Sequence, residues 1–171
     1  MLLLFYKILL TLSATSWMVA IYAISNSLTP KQIPSRLFGI LLLLLSILLA
    51  SALLRLFRHL PKETPFHNSK EIELADGEFL PTYLGYFFIS VGVSDHFTMI
   101  VLYLIVSVFT FLSQSQYYNP IFLFFGYHFY HISTEVGTKI FVIQKGEIIR
   151  NPKDFSPNTL YRLNNSTFIG R

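Results

Sequence analysis

Apolar positions in this chain fall in long uninterrupted runs, with the polar residues gathered between them. Residues 37–54 are eighteen positions without a charge. A helix rises about 1.5 Å per residue, so such a run covers most of a hydrocarbon layer roughly 30 Å thick. Backbone amides in lipid must be satisfied within their own segment, which leaves a spanning helix as the outcome. Residues 8–24, 79–93 and 97–112 read the same way. The pattern predicts a membrane all-α fold, a four-helix transmembrane bundle over residues 1–118. Lys7 snorkels at the edge of the first span, and Pro30 and Pro34 break the chain in the loop at 25–35. Arg55 and Arg58 close the second span, and the polar loop at 55–78 cannot lie in lipid. The last two spans meet at Ser94-Asp95-His96. As one helix, residues 79–112 would be about 50 Å long, and an Asp95 buried in lipid would cost roughly 3 kcal/mol or more. At fifteen residues the third span is short, which requires a tilted or thinned site.

Past residue 112 the pattern changes. Asn119-Pro120 places a capping residue before a proline at the first helical position. Residues 121–132 are dense in Phe and Tyr and too short to span, which predicts an interfacial helix. Residues 140–144 and 147–150 flank Lys145-Gly146, and 160–163 and 166–169 flank Asn164-Asn165, two hairpin signals. Residues 119–171 therefore read as an interfacial helix plus a small cytoplasmic β-rich C-terminal tail. About 35 residues supply no independent core, so the tail must dock on something.

Composition agrees with lipid as solvent. The chain is 53% hydrophobic and 13% charged, against about 25% charged in soluble domains, and its mean hydropathy is +0.53. Four spans with both termini in the cytoplasm leave only Lys31 and Arg36 outside. Lys7, Arg55, Arg58, Lys62, Lys70, Lys139, Lys145, Arg150, Lys153, Arg162 and Arg171 are then inside, eleven against two. Three spans give at best eight against five, so loop charge favours four. Ala20 and Ala23 resemble a cleavage site, but Lys7 follows the first apolar residues instead of preceding them, so the first run reads as a retained span. Cysteine is absent, which removes disulfides, thiolate zinc sites and cysteine nucleophiles. No Asp, Glu, Lys, Arg or His sits mid-span, unlike ion-coupled transporters and proton pumps.

Candidate chemistry is sparse. His128, His131 and Glu135 would share a face if a helix ran that far, the spacing of a divalent-metal site; packing at the water boundary is the plainer reading. Asp95 and His96 stand alone as titratable groups in the outer hairpin and are candidates for sensing from that side, against an ordinary role for Asp95 as a helix cap. Glu71, Glu73, Asp76 and Glu78 form an acidic run that reads as solvated. Asn164-Asn165-Ser166-Thr167 contains two overlapping sequons, chance matches on a cytoplasmic tail. Ser46 and Ala50 make a small-xxx-small pair suited to self-association. No catalytic set, cofactor site or metal site emerges, and the scattered basic residues do not suit direct nucleic-acid binding. A rival reading is a small oligomeric pore or transporter, with Ser13, Thr15, Ser16, Ser46 and Ser51 along a narrow path.

The sequence resembles KwaA, the membrane subunit family of the bacterial Kiwa anti-phage defence system. The likeness rests on the four-span layout and on Asn119-Pro120-Ile121-Phe122-Leu123-Phe124-Phe125-Gly126-Tyr127-His128-Phe129-Tyr130, which leads into Lys139-Ile140-Phe141-Val142-Ile143. It continues through Leu160-Tyr161-Arg162-Leu163-Asn164-Asn165-Ser166-Thr167-Phe168-Ile169. The resemblance implies a non-enzymatic inner-membrane component that forms a homo-oligomer and recruits a cytoplasmic, DNA-associated effector, KwaB. It offers no catalytic residues to carry over. Aromatic and arginine side chains favour protein interfaces, so the expected partner surface is Phe122, Phe125, Tyr127, His128, Tyr130, Phe141, Arg150, Tyr161 and Arg162.

Overall fold

A computed structural model describes residues 2–27, 33–63, 69–114, 117–134, 137–155 and 159–170. The chain divides into a helical unit, Leu4–Leu53 with Phe79–Asn119, and a sheet unit, Leu54–Glu78 with Pro120–Arg171 and the first three residues.

Four helices supply the helical unit: α1 (Leu2–Ser25), α2 (Ser35–Leu56), α3 (Leu80–Gly92) and α4 (His96–Ser113). Among the described residues, three segments are long and apolar enough to cross a membrane, Leu2–Ser25, Ser35–His59 and His96–Ser113. With 13 residues, α3 rises only about 20 Å. Residues 79–112 are a hairpin and not one broken helix, because Tyr86 Oη lies 2.8 Å from Thr110 Oγ1 across the turn. A continuous helix would hold those two residues about 36 Å apart.

Half of the apolar window of α1 is buried, against 11% of that of α4, so α1 is the inner helix of this unit. The Ser90 hydroxyl donates to the Met18 carbonyl at 2.9 Å, and Met18, Tyr22, Tyr86 and Met99 form one cluster. On the α2 side, Tyr6 Oη donates to the Leu53 carbonyl at 3.3 Å, while Gly39 faces Ala20 and Ile24. These pairs make α1 and α2 antiparallel. Gly39, Ser46, Ala50 and Leu53 form one buried stripe on α2.

A six-stranded sheet forms the second unit, with strands β1 (Lys62–Glu63), β2 (Ser69–Leu74), β3 (Tyr127–Thr134), β4 (Lys139–Lys145), β5 (Leu160–Arg162) and β6 (Thr167–Gly170) in the order β1-β5-β6-β4-β3-β2. Among the described strands, only β4 and β6 run parallel. Three expectations change here. The polar loop at 55–78 is not merely solvated, since it supplies both edge strands, whose Lys70, Glu71 and Glu73 are exposed while Ile72 packs on the core. Charged edges of this kind resist unwanted pairing. The interfacial helix at 121–132 shrinks to α5 (Ile121–Phe124), after which Gly126 adopts φ 72° and β3 begins. Glycine stops the helix, and the run from Tyr127 to Thr134 is aromatic and β-branched, suited to a pleated surface. The hairpin around Lys145-Gly146 does not form: residues 147–150 carry no strand, and Ile149 instead packs on the sheet. The second predicted hairpin is present, β5 pairing antiparallel with β6. Its turn is held by Asn164 Oδ1, which accepts from the amides of Ser166 and Thr167 at 2.7 and 2.6 Å.

Strands β1 and β2 lie at opposite edges. Ile72 of β2 and Leu160 of β5 join one core with Tyr130, Ile132, Val142, Phe155 and Phe168. Phe129 and Phe141 stack on the other face at 6.0 Å, where Phe57 meets Tyr127 and Tyr161 edge-on.

Tyr130 is fully buried, and its hydroxyl accepts from the Ile149 amide at 3.0 Å. Burial pushes this phenol above its ordinary range; the Ile149 amide offsets part of the rise and the Asp76 carboxylate adds to it. The folded state thus favours the neutral phenol. That contribution is complete below about pH 10 and is lost as pH climbs through the raised folded value. The melting temperature of the wild type is expected to fall above about pH 10, and to fall less steeply in Tyr130→Phe. Parallel melting curves for the two proteins would contradict this assignment.

Candidate functional site

The expected partner surface divides sharply by exposure. Phe122 and Tyr130 are 0% exposed, and Tyr127 and Phe141 are also buried. These four are core side chains, so the expected exposed aromatic face is corrected; the exposed aromatics of that stretch are Phe124, at 81%, and Phe125. Arg150 is exposed, while His128, Tyr161 and Arg162 are partly buried. Arg162 is committed within the unit, donating to the Asn164 carbonyl at 3.2 Å, to Asn165 Oδ1 at 2.8 Å and to Glu63 Oε1 at 3.1 Å. It ties β1 to the β5–β6 turn.

His128 and His131 sit three apart on a strand, so they point to opposite faces and cannot share a metal as on a helix. Glu135 lies outside the described residues. Each histidine has its own carboxylate: His128 Nδ1 is 2.6 Å from Asp76 Oδ2, and His131 Nε2 is 3.1 Å from Glu78. Asp76 Oδ1 also accepts from the Phe129 amide at 2.7 Å. Half of the acidic run is therefore paired, 52 or 53 residues away in sequence, where no local signal points.

In the helical unit, Asp95 and His96 occupy the turn between α3 and α4. Asp95 caps α4, its Oδ2 accepting from the amide and the hydroxyl of Thr98, both at 2.7 Å. The Thr98 amide first, and then its hydroxyl, hold the Asp95 carboxyl below the ordinary range, so it stays charged. His96 Nδ1 lies 2.6 Å from the Tyr22 hydroxyl. Asn26 Nδ2 donates to the Val93 carbonyl at 3.1 Å, a second tie from the end of α1 to this turn. Sequence reasoning missed Tyr22, a lone phenol near the end of an apolar helix. Beside this cluster an apolar cavity of about 400 Å³ lies between Val19 and Tyr22 of α1 and Met99, Ile100, Tyr103 and Leu104 of α4, with His96 at one end.

The family model of anti-phage protein KwaA matches residues 6–169, reaching across both units. The chain belongs to the KwaA family. No curated protein and no solved structure matches it. Membership assigns it a role in defence against phage.

In this KwaA chain the hydroxyls considered for a pore are bonded within the chain. Ser16 donates to Ser13 O, Ser46 to Leu42 O and Ser51 to Leu48 O, and Thr15 reaches Thr11 O and Tyr103 Oη. Ser13 accepts from Asn119 Nδ2 at 3.0 Å. Ser46 and Ala50, expected to drive self-association, are 2% and 0% exposed within a single chain, so that pair is already used.

Proposed function

We propose that this KwaA chain is a non-enzymatic inner-membrane sensor and scaffold with four crossings, a homo-oligomer that holds a cytoplasmic KwaB-like effector on its sheet unit. One observation carries the reading. Strands β1 and β2 precede α3, yet they pair with β5 and β3, which follow α4. A sheet cannot be threaded through lipid, so residues 62–74 and 127–170 belong on one side of the membrane. An even number of crossings then separates them, which supports α3 and α4 as a spanning pair with the Asp95–His96 turn on the far side. The excess of Lys and Arg in the segments flanking that pair supports the cytoplasm as the sheet's side. The leucines that α2 leaves exposed, Leu41, Leu44, Leu45 and Leu48, are the surface available to a second copy.

Effector docking falls to the exposed part of the expected surface, Phe125 and Arg150. Truncation near residue 132 would remove β4, β5 and β6 and destroy the sheet, so point variants are the test. Capture of the co-expressed KwaB-like effector by full-length protein is expected to fall at least about tenfold in Phe125→Glu/Arg150→Glu, the effect of losing central interface side chains. Full capture by the double variant would eliminate this docking surface. A reporter inserted after Ser94 that is active only in the cytosol would eliminate the topology.

A further inference from the structure

We propose that the cavity between α1 and α4 holds one acyl chain of an ethanolamine-type phospholipid, with its headgroup on the Asp95–His96 turn. This deepens, and rests on, the reading of that turn as the outward-facing sensor. From His96 to Leu104 the cavity follows α4 for about 12 Å, close to the roughly 15 Å depth of one hydrocarbon leaflet. The two phenols in its wall are engaged, Tyr103 by Thr15 and Tyr22 by His96. Away from the His96 end water would find no partners, and an empty space would forfeit contacts that a methylene chain restores. A helix from a second copy, about 10 Å across, is too thick for this volume.

The end of the cavity selects the headgroup. Asp95 is exposed and charged, with Oδ2 held by Thr98. The bond to Tyr22 occupies His96 Nδ1 and leaves Nε2 for a phosphate oxygen. A carboxylate beside an imidazole matches an ammonium beside a phosphodiester. An anionic headgroup would set a second negative charge against Asp95.

Native mass spectrometry of the full-length protein, offered phosphatidylethanolamine or phosphatidylglycerol in detergent, reads the occupant. Wild type is expected to retain one phosphatidylethanolamine per chain, preferred over phosphatidylglycerol by about threefold, the scale of an exposed charge contact. Asp95→Asn keeps the cap, because asparagine caps as well as aspartate, and should bring that preference to about one. Ile100→Trp fills the cavity and should lower retention of either lipid about tenfold. Equal retention by wild type and Ile100→Trp overturns the acyl-chain site. A preference unchanged in Asp95→Asn overturns the headgroup assignment, whether or not Ile100→Trp folds. Neither failure touches the membrane topology, which the reporter after Ser94 reads separately; lipid bound at a cytosolic turn would remove only the outward-sensing role.

Discussion

Phe129→Ala is expected to destabilise the sheet unit by about 3–5 kcal/mol, the cost of emptying a buried phenylalanine site. Domains of this size are stable by only about 5–15 kcal/mol, so the sheet would open readily at physiological temperature. Phe129 is 0% exposed near the start of β3, opposite Ile143 of β4. Its ring stacks on Phe141, its amide donates to Asp76 and its carbonyl accepts from the Ala75 amide at 2.8 Å. The backbone of this residue thus ties β3 to the turn that leads to α3, while its ring fills the sheet's core. Limited proteolysis of the purified full-length protein should cut residues 120–170 at much lower temperature than in wild type, and protection of cells against phage should drop with it. The control is Phe124→Ala, an 81% exposed position a few residues away, expected within about 0.5 kcal/mol of wild type. Matching digestion patterns for the two variants would refute this account of the core.

Gly39→Leu should separate α1 from α2. A Cβ at residue 39 would run into the Ile24 side chain and sit 3.2 Å from the Ala20 carbonyl oxygen. Ile24 can rotate away, but the backbone oxygen cannot, so the helices must part. Overpacking of this kind costs about 1–3 kcal/mol, sometimes more. Leucine also raises helix propensity by nearly 1 kcal/mol over glycine, which partly conceals the clash. Gly85→Leu isolates it, because a Cβ at Gly85 on α3 meets nothing within 4 Å. The Gly39 variant should melt well below the Gly85 variant in the same detergent. Coincident melting would show that α1 and α2 do not depend on this close approach.

The apolar helices were legible because a run of leucines leaves few physical alternatives, and the joint at Ser94-Asp95-His96 was legible because a carboxylate belongs outside lipid. The Asn164-Asn165 turn was legible for a local reason too, a side chain that bonds its own backbone. What escaped was decided at long range. A short aromatic run such as residues 121–132 fits helix or strand equally well in isolation, and pairing with β2 and β4 settles it. Strands β1 and β2 are charged and brief, and they exist because partners from the tail lie alongside. The same holds for the candidate sites: Asp95 and His96 were visible as the only ionisable pair in their turn, while the Tyr22 contact and the His128–Asp76 and His131–Glu78 pairs have no neighbour in sequence to announce them.

The sheet's two-part construction sets a timetable for biosynthesis. Ribosomes add about 5–20 residues per second, so β2 emerges several seconds before β3 and waits longer still for β6. Throughout that interval the early strand has no mate in the sheet. Loss of Thr167 to Gly170 would remove the strand that joins β4 to β5 and leave the sheet unfinished. The sheet therefore closes only once β6, the last of its described strands in chain order, has been made.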